Sequence, residues 1–387
     1  MILAYRPDSL DRLLISDATS RALDKKLITQ AEYQSVQKLH AVDLYTPNIF
    51  IRAGIFLLTV FITLMGSGLL WMITGASSDK EMGMMCLFLS LIWYATLEYV
   101  VRQTKHYQSG LDDALIWLSA GFAIAAVNLL FFPVGHLVQC LLIVVLSGFA
   151  TIRYANSLMA GIVILSLLAV VFYSVLPLGI YAKAILPILL MVSSILLFWW
   201  VRKNKKRFIY YRGSLKVAEV VSLFTAYSTV NFFVVREVSN ELIGLPLPEK
   251  ASIPGGWLFW MLTIAIPVVY IYRALQKKEI VLLRVGLLLT AATLYTIYYY
   301  YPLASIEIIL VGAGIVLIGV AYGVARYLAV PRFGIINSVS SDLLLPGMEQ
   351  LESLIIAESF HDQPAAESDG TSFGGGTAGG GGASGQY

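Results

Sequence analysis

Residues Arg202–Lys216 read RKNKKRFIYYRGSLK, a short basic stretch set between two long apolar runs, Leu178–Val201 and Val217–Val235. Its Lys and Arg residues stand at 202, 203, 205, 206, 207, 212 and 216. Short loops this rich in positive charge stay on the cytoplasmic side of a bilayer. The stretch therefore sets the direction in which the chain is expected to thread a membrane, and with it the depth of every other polar group.

The composition supports a membrane protein. Of 387 residues, 58% are hydrophobic and only 13% charged, and the mean hydropathy is +0.76. Water could not solvate that much apolar surface on a soluble domain. A helix needs about 20 apolar residues to cross a hydrocarbon core of roughly 30 Å. Ten runs approach that length: Ala53–Gly75, Met82–Val101, Ala114–Phe132, Leu137–Ile152, Ser157–Ser174, Leu178–Val201, Val217–Val235, Trp257–Tyr272, Ile280–Tyr300 and Ile306–Ala325. Pro133 and Pro177 separate closely spaced neighbours, since proline removes a backbone donor and disfavours helix before it. The expected fold is an all-α polytopic bundle of about ten spans, within a range of nine to eleven, with both termini cytosolic.

Charge supports that count. With the basic stretch inside, 23 of the 27 Lys and Arg residues fall on the cytosolic side, leaving Lys80, Lys183, Arg236 and Lys250 outside. Trp71, Trp257, Trp260 and Tyr298–Tyr301 then lie toward the outer interface and Trp199 and Trp200 at the inner one, where amphipathic rings settle.

The expected domains are a cytosolic helical hairpin over 1–52, the bundle over 53–327, a cytosolic amphipathic segment over 328–360 and a Gly-rich tail over 361–387. Charges scattered through the first fifty residues leave no apolar core for a cleavable signal. Ser16 is expected to cap a helix to about Lys26, and Thr29 with Glu32 forms a capping box opening a second helix to about His40. Ala22, Leu23 and Leu27 would meet Ala31, Val36 and Leu39 in a seam. Acidic and basic residues alternate here, so no basic recognition face for DNA emerges. Leu343, Leu344, Leu345, Met348, Leu351, Leu354 and Ile355 form an apolar stripe after Pro331. The tail, with nine Gly in its last 18 residues, is expected to be disordered.

The hairpin sequence RALDKKLITQAEYQSVQ, followed by YTPNIFIRAG and an apolar first span, resembles uncharacterised bacterial polytopic membrane proteins that carry a short cytosolic helical hairpin. The resemblance implies a bacterial inner-membrane location and no particular activity. The ending FGGGTAGGGGASGQY is similar to the Gly-rich terminus of some bacterial membrane-associated TPM-domain proteins, whose soluble domain has no counterpart here.

Ionisable residues inside spans are the default functional candidates, because each costs about 2.5–3.5 kcal/mol at a span centre. Glu98, Glu219, Arg284 and Glu307 all fall near span ends, where snorkelling to headgroups competes with a proton or ion pathway. Glu219 and Arg284 share a depth and could pair. Asn128, Gln139 and Asn231 suit interhelical hydrogen bonds, and Gly312, Gly319 and Gly323 suit close helix packing. Asp112 and Asp113 suit capping of a helix N-terminus.

No phosphate-binding loop, dinucleotide fingerprint, H-E-x-x-H, C-x-x-C or G-x-S-x-G is present, and the histidines at 40, 106, 136 and 361 are scattered. No cofactor, metal site, disulfide or catalytic residue is expected. Two functional classes fit: a non-enzymatic scaffold or envelope component, and a secondary transporter of a small solute or ion. Five-plus-five spans would suit inverted repeats, with Pro187 and Pro267 marking broken helices. The expected partners are the bilayer and, through the cytosolic termini, a second copy or another protein, but no nucleic acid.

Overall fold

The computed structural model describes residues 3–24, 26–205, 207–242, 255–277 and 279–301, with positions 311, 312, 314, 315 and 319. The described residues are helical apart from loops and one isolated bridge between Tyr45 and His106. The order is α1 (Pro7–Asp24), α2 (Gln30–Leu39), α3 (Ile49–Thr74), α4 (Asp79–Gln103), α5 (Leu111–Leu130), α6 (His136–Tyr154), α7 (Ser157–Val175), α8 (Ile180–Asn204), α9 (Arg212–Ser228), α10 (Phe232–Leu242), α11 (Gly256–Lys277) and α12 (Ile280–Tyr300).

Eight of these helices are long and apolar enough to cross a membrane, and α9 with α10 makes a ninth if the bent pair is one span. The all-helical multi-span fold matches the expectation, and α12 matches its predicted run to the residue. Most of the tenth run, including Glu307 and Gly323, lies outside the described residues, as do the amphipathic segment and the tail.

One helix inverts the residue distribution of a soluble protein. On α3 the buried residues are Thr59, Thr63 and Ser67, spaced by four along one side, while Leu57, Leu58, Phe61, Ile62 and Met65 are exposed. Elsewhere Ser90, Ser119, Ser147, Ser194 and Ser222 are buried among the helices. Small polar residues inside and large apolar ones outside is the pattern expected when lipid is the solvent, because close backbone approach rather than hydrophobic burial drives helix association. Gly83 and Gly286 serve the same end: a Cβ on them would stand 2.7 Å from Leu130 Cγ and 2.9 Å from Ile271 Cγ1. Gly312 and Gly319, predicted as packing glycines, meet no described atom within 4 Å of such a Cβ.

Three expectations need correction. α1 begins at Pro7, nine residues before Ser16, because proline at a first helical position loses no bond and pre-sets the backbone. Ser16 instead accepts a hydrogen bond from Gln37 Nε2 at 2.7 Å, joining α1 to α2. The second helix does open on the predicted box, with Glu32 accepting from Thr29 N at 2.8 Å. Leu27 and Leu39, assigned to the hairpin seam, are 73% and 78% exposed.

The third correction concerns the seventh run. It is broken: α9 and α10 meet at 74° across Thr229–Asn231. Ser228 and Thr229 donate back to Phe224 O and Ala226 O, competing with helix continuation, while Asn231 Oδ1 accepts from Phe233 N at 3.0 Å and Val234 N at 3.3 Å and so caps α10. Pro187 and Pro267, the predicted break points, lie inside helices that continue through them.

Successive helices pack as antiparallel neighbours, α4 on α5, α6 on α7, α8 on α9 and α11 on α12, with α7 also against α9. The result is two polar layers. The starts of α3, α5, α7, α9 and α12 and the ends of α4, α6 and α8 share one end, termed the charged end. The α9–α10 break lies toward the other.

Candidate functional site

At the charged end, Gly110 leads into α5 with φ of +94°. A Cβ there would stand 2.1 Å from Arg52 O, so only glycine lets α5 approach α3. That approach brings Asp113, 3% exposed, to Arg52: Oδ2 accepts from Nε at 2.8 Å and pairs with Nη2 at 2.7 Å. Its other oxygen accepts from Asn156 Nδ2 at 2.7 Å, and Asn156 in turn caps α7 through Met159 N at 2.9 Å. One carboxylate thus ties three helices. Its neighbour Asp112 accepts from Gln108 N at 2.8 Å and from Ser109 N at 2.9 Å, closing the loop before α5. The expectation of helix capping therefore covers only part of what these residues do.

Glu98 sits near the end of α4, as its place in the sequence suggests, but it does not reach for headgroups. Arg153 of α6 grips it through Nε at 2.5 Å and Nη2 at 2.8 Å. Tyr154 donates at 2.6 Å, Tyr94 at 3.1 Å and Arg102 at 3.0 Å. Charge-assisted bonds in a forked arrangement are the strong kind. Both carboxylate oxygens are engaged by these donors.

The N-terminal segment crosses over this lattice as a strap. Tyr5 and Leu10 are buried in a cluster with Leu97, Val100, Leu115, Ile116 and Ala150, so residues outside the spans are packed into the base of α4, α5 and α6. Ala4 N donates to Arg153 O at 2.8 Å, Tyr5 meets Tyr107 edge-to-face at 4.9 Å, and Ser9 donates to Asp43 at 3.1 Å. Lys105 also pairs with Asp43 at 2.9 Å, and these two contacts, Lys105 first, hold its carboxyl below the usual carboxylate range. Burial, then the charge of Asp112, pushes the Tyr107 hydroxyl up to about 12. Tyr210 reaches back from the basic loop to Asp11 at 2.9 Å, and Tyr211 to Ile152 O at 2.6 Å.

In the second half of the chain the basic loop borders a cavity of about 530 Å³ lined by Arg202, Lys205, Ile209, Arg212, Glu219, Glu279 and Val281. Glu219, 6% exposed, is paired with Lys205 at 2.5 Å, a partner that its spacing from Arg284 did not suggest. Arg202 grips Glu279 with both terminal nitrogens, one of them at 3.0 Å. Arg284 is half-buried in the second turn of α12.

At the break, Asn231 donates to Tyr227 Oη at 2.8 Å and to Thr296 Oγ1 at 3.1 Å. Tyr227 and Thr293 share a hydrogen bond of 2.9 Å, and Thr263 accepts from Phe232 N at 2.9 Å. The interhelical role expected of Asn231 is therefore present. Asn128 differs, since its Nδ2 donates to Ile124 O within its own helix.

The structure thus brings Glu98 to Arg153 and Glu219 to Lys205. Arg52, Asp113, Arg153 and Asn156 were missed as a group, although the sequence held one signal: a glycine two residues before a pair of acids at a span start. Cys86 and Cys140 are buried free thiols, and no group of three or more metal-binding side chains occurs among the described residues. Comparisons of the chain with protein-family models, curated proteins and solved structures return no match.

Proposed function

We propose that the chain is a non-enzymatic, multi-pass protein of a bacterial inner membrane whose charged end faces the cytosol and serves as a rigid platform for protein assembly. The observation that carries this reading is the strap. A terminal segment is buried across the ends of α4–α6 and bonded to the basic loop, and Glu98, Asp112 and Asp113 beneath it have their oxygens engaged by named donors. Groups so fully engaged favour a fixed surface over chemistry, since a catalytic acid or base needs access to the proton it moves. The basic loop supports the cytosolic placement, and the resemblance of the hairpin to bacterial membrane proteins supports the compartment.

Two measurements test it. A periplasm-dependent reporter fused after Lys205 is expected to be silent and one fused after Gly75 active; the reverse pattern overturns the orientation. A photo-crosslinking residue at Leu27 or Leu39 is expected to give discrete adducts with protein in living cells, whereas one at Met72 or Ile73, exposed at the opposite end of α3, gives none. Equal yields at the two ends overturn the platform.

The α9–α10 break supports a second reading, transport, because interrupted helices frame substrate sites in many carriers. Here the side chain that would face a substrate, Asn231, is already engaged by Tyr227, Thr296 and the α10 backbone. A saturable solute-dependent current from proteoliposomes, abolished by Asn231→Ala, would establish transport in place of the platform.

A further inference from the structure

We infer that the cavity beside the basic loop is a binding site for a phosphate group at the membrane surface. The inference goes beyond the assembly reading and holds whether or not the charged end recruits proteins. Three cations, Arg202, Lys205 and Arg212, line the cavity against two carboxylates, Glu219 and Glu279, so the wall carries a net positive charge. A further cation stands behind it: Lys216 is only 4% exposed and lies within electrostatic reach of three cations, Arg212, Lys205 and Arg21, and of one carboxylate, Glu219. Like charges held together at low exposure repel one another, and a bound anion relieves that cost.

Local helix chemistry agrees. α9 opens into this region with no acidic residue in its first turn and no side-chain cap, and the residue at its start is Arg212. Cations are disfavoured at a helix N-terminus, where the backbone dipole is positive. A phosphate would complement both the helix terminus and the side chains.

Donor geometry and depth narrow the ligand. Lys205 spends one donor on Glu219 and has two more, which with the Arg202 and Arg212 guanidinium groups suit the several oxygens of a phosphate better than a single halide. Ile209 and Val281 supply an apolar edge. Trp199 and Trp200 are exposed on the last turns of α8, with Lys203 stacked over Trp199 at 5.2 Å, which sets the mouth at headgroup level. Basic pockets of this kind between membrane helices hold phospholipid headgroups. A phosphate could reach the cavity as an anionic lipid headgroup or as a soluble phosphate.

The test uses the full chain in nanodiscs of phosphatidylcholine, titrated in one arm with phosphatidylglycerol and in the other with inorganic phosphate, and read by native mass spectrometry and thermal shift. Saturable binding in the lipid arm alone assigns a headgroup, binding in the phosphate arm assigns a soluble source, and binding in neither overturns the site. Arg212→Ala is expected to weaken binding about fivefold, the weight of one basic side chain at an anionic surface. Arg207→Ala, in the same loop but outside the cavity, is expected to leave binding unchanged; equal losses in the two variants reduce the effect to general loop charge and overturn the proposal. Glu279→Gln removes a carboxylate that competes for Arg202 and is expected to tighten binding, a gain that misfolding cannot mimic. Weakened binding in that variant also overturns the site.

Discussion

The charged end beneath the N-terminal strap and the polar cluster at the α9–α10 break solve the same problem with different materials. Both satisfy backbone or side-chain groups that lipid cannot. The first uses full charges, Glu98 with Arg153 and Asp113 with Arg52. The second uses only neutral groups, Tyr227, Asn231, Thr263, Thr293 and Thr296, all 7% exposed or less. Desolvating an ion costs several kcal/mol unless it is paired and hydrogen-bonded. Charges are tolerable where loops and a terminal segment can supply donors from outside the bilayer. At the break, toward the opposite end, side-chain amides and hydroxyls cap an interrupted helix with no ion to desolvate. Polarity alone therefore does not mark function here; the kind of polar group follows the donors within its reach.

Substitutions can break or sharpen that contrast. Gly110→Ala is expected to have the largest effect, because the new methyl collides with Arg52 backbone at a φ that disfavours any side chain. A loss of more than about 4 kcal/mol, seen as failure to yield folded protein in detergent, is expected. A normally behaved variant would mean that the α3–α5 contact does not hold the charged end together.

Asn231→Asp, which places an ion at the break without changing its size, is expected to cost about 3 kcal/mol. Glu98→Gln is expected to cost somewhat less, about 2 kcal/mol, since it strands Arg153 near an end where water can reach it. Thermal unfolding of the two variants side by side gives the order. If Glu98→Gln proved the costlier, the supply of donors from loops and the terminal segment would not be what separates the two regions.

The smallest expected effect is at Asp43, outside the spans. Its carboxyl is held below the ordinary value of 3.8 by Lys105 and Ser9, so the pair stabilises the fold above that value and its contribution is lost as pH falls through the lowered folded value. The Lys105 side chain is 52% exposed and that of Asp43 29%, so solvent screens the pair, and Asp43→Asn is expected to cost only about 0.5 kcal/mol, and less in high salt. A salt-independent loss above about 1 kcal/mol would show that the strap depends on this contact more than an exposed pair allows.

Much of the bundle was legible in advance. The first six spans and the last two described ones fall on the predicted runs, with ends that shift by a few residues, because a helix in lipid must contain its own backbone hydrogen bonds over a length set by the bilayer. The Thr29–Glu32 box was readable for a similar reason, both partners lying within one turn. The break after Ser228 was not, since hydropathy continues unchanged through Val230, Phe232 and Val235 while a single asparagine decides the backbone. Glu98 could be singled out, but not its partner Arg153, 55 positions away.

What the sequence by itself determined was the solvent, the class of fold and the gathering of charge at the ends of the spans, because transfer free energies add residue by residue along the chain. Only the tertiary structure decided which cation meets which carboxylate, that the N-terminal segment is a strap with Tyr5 and Leu10 buried, and that the basic loop walls a cavity. Those outcomes depend on which helices become neighbours, and electrostatic pairing falls off so steeply with distance that a sequence order without that neighbourhood leaves the partners unassigned.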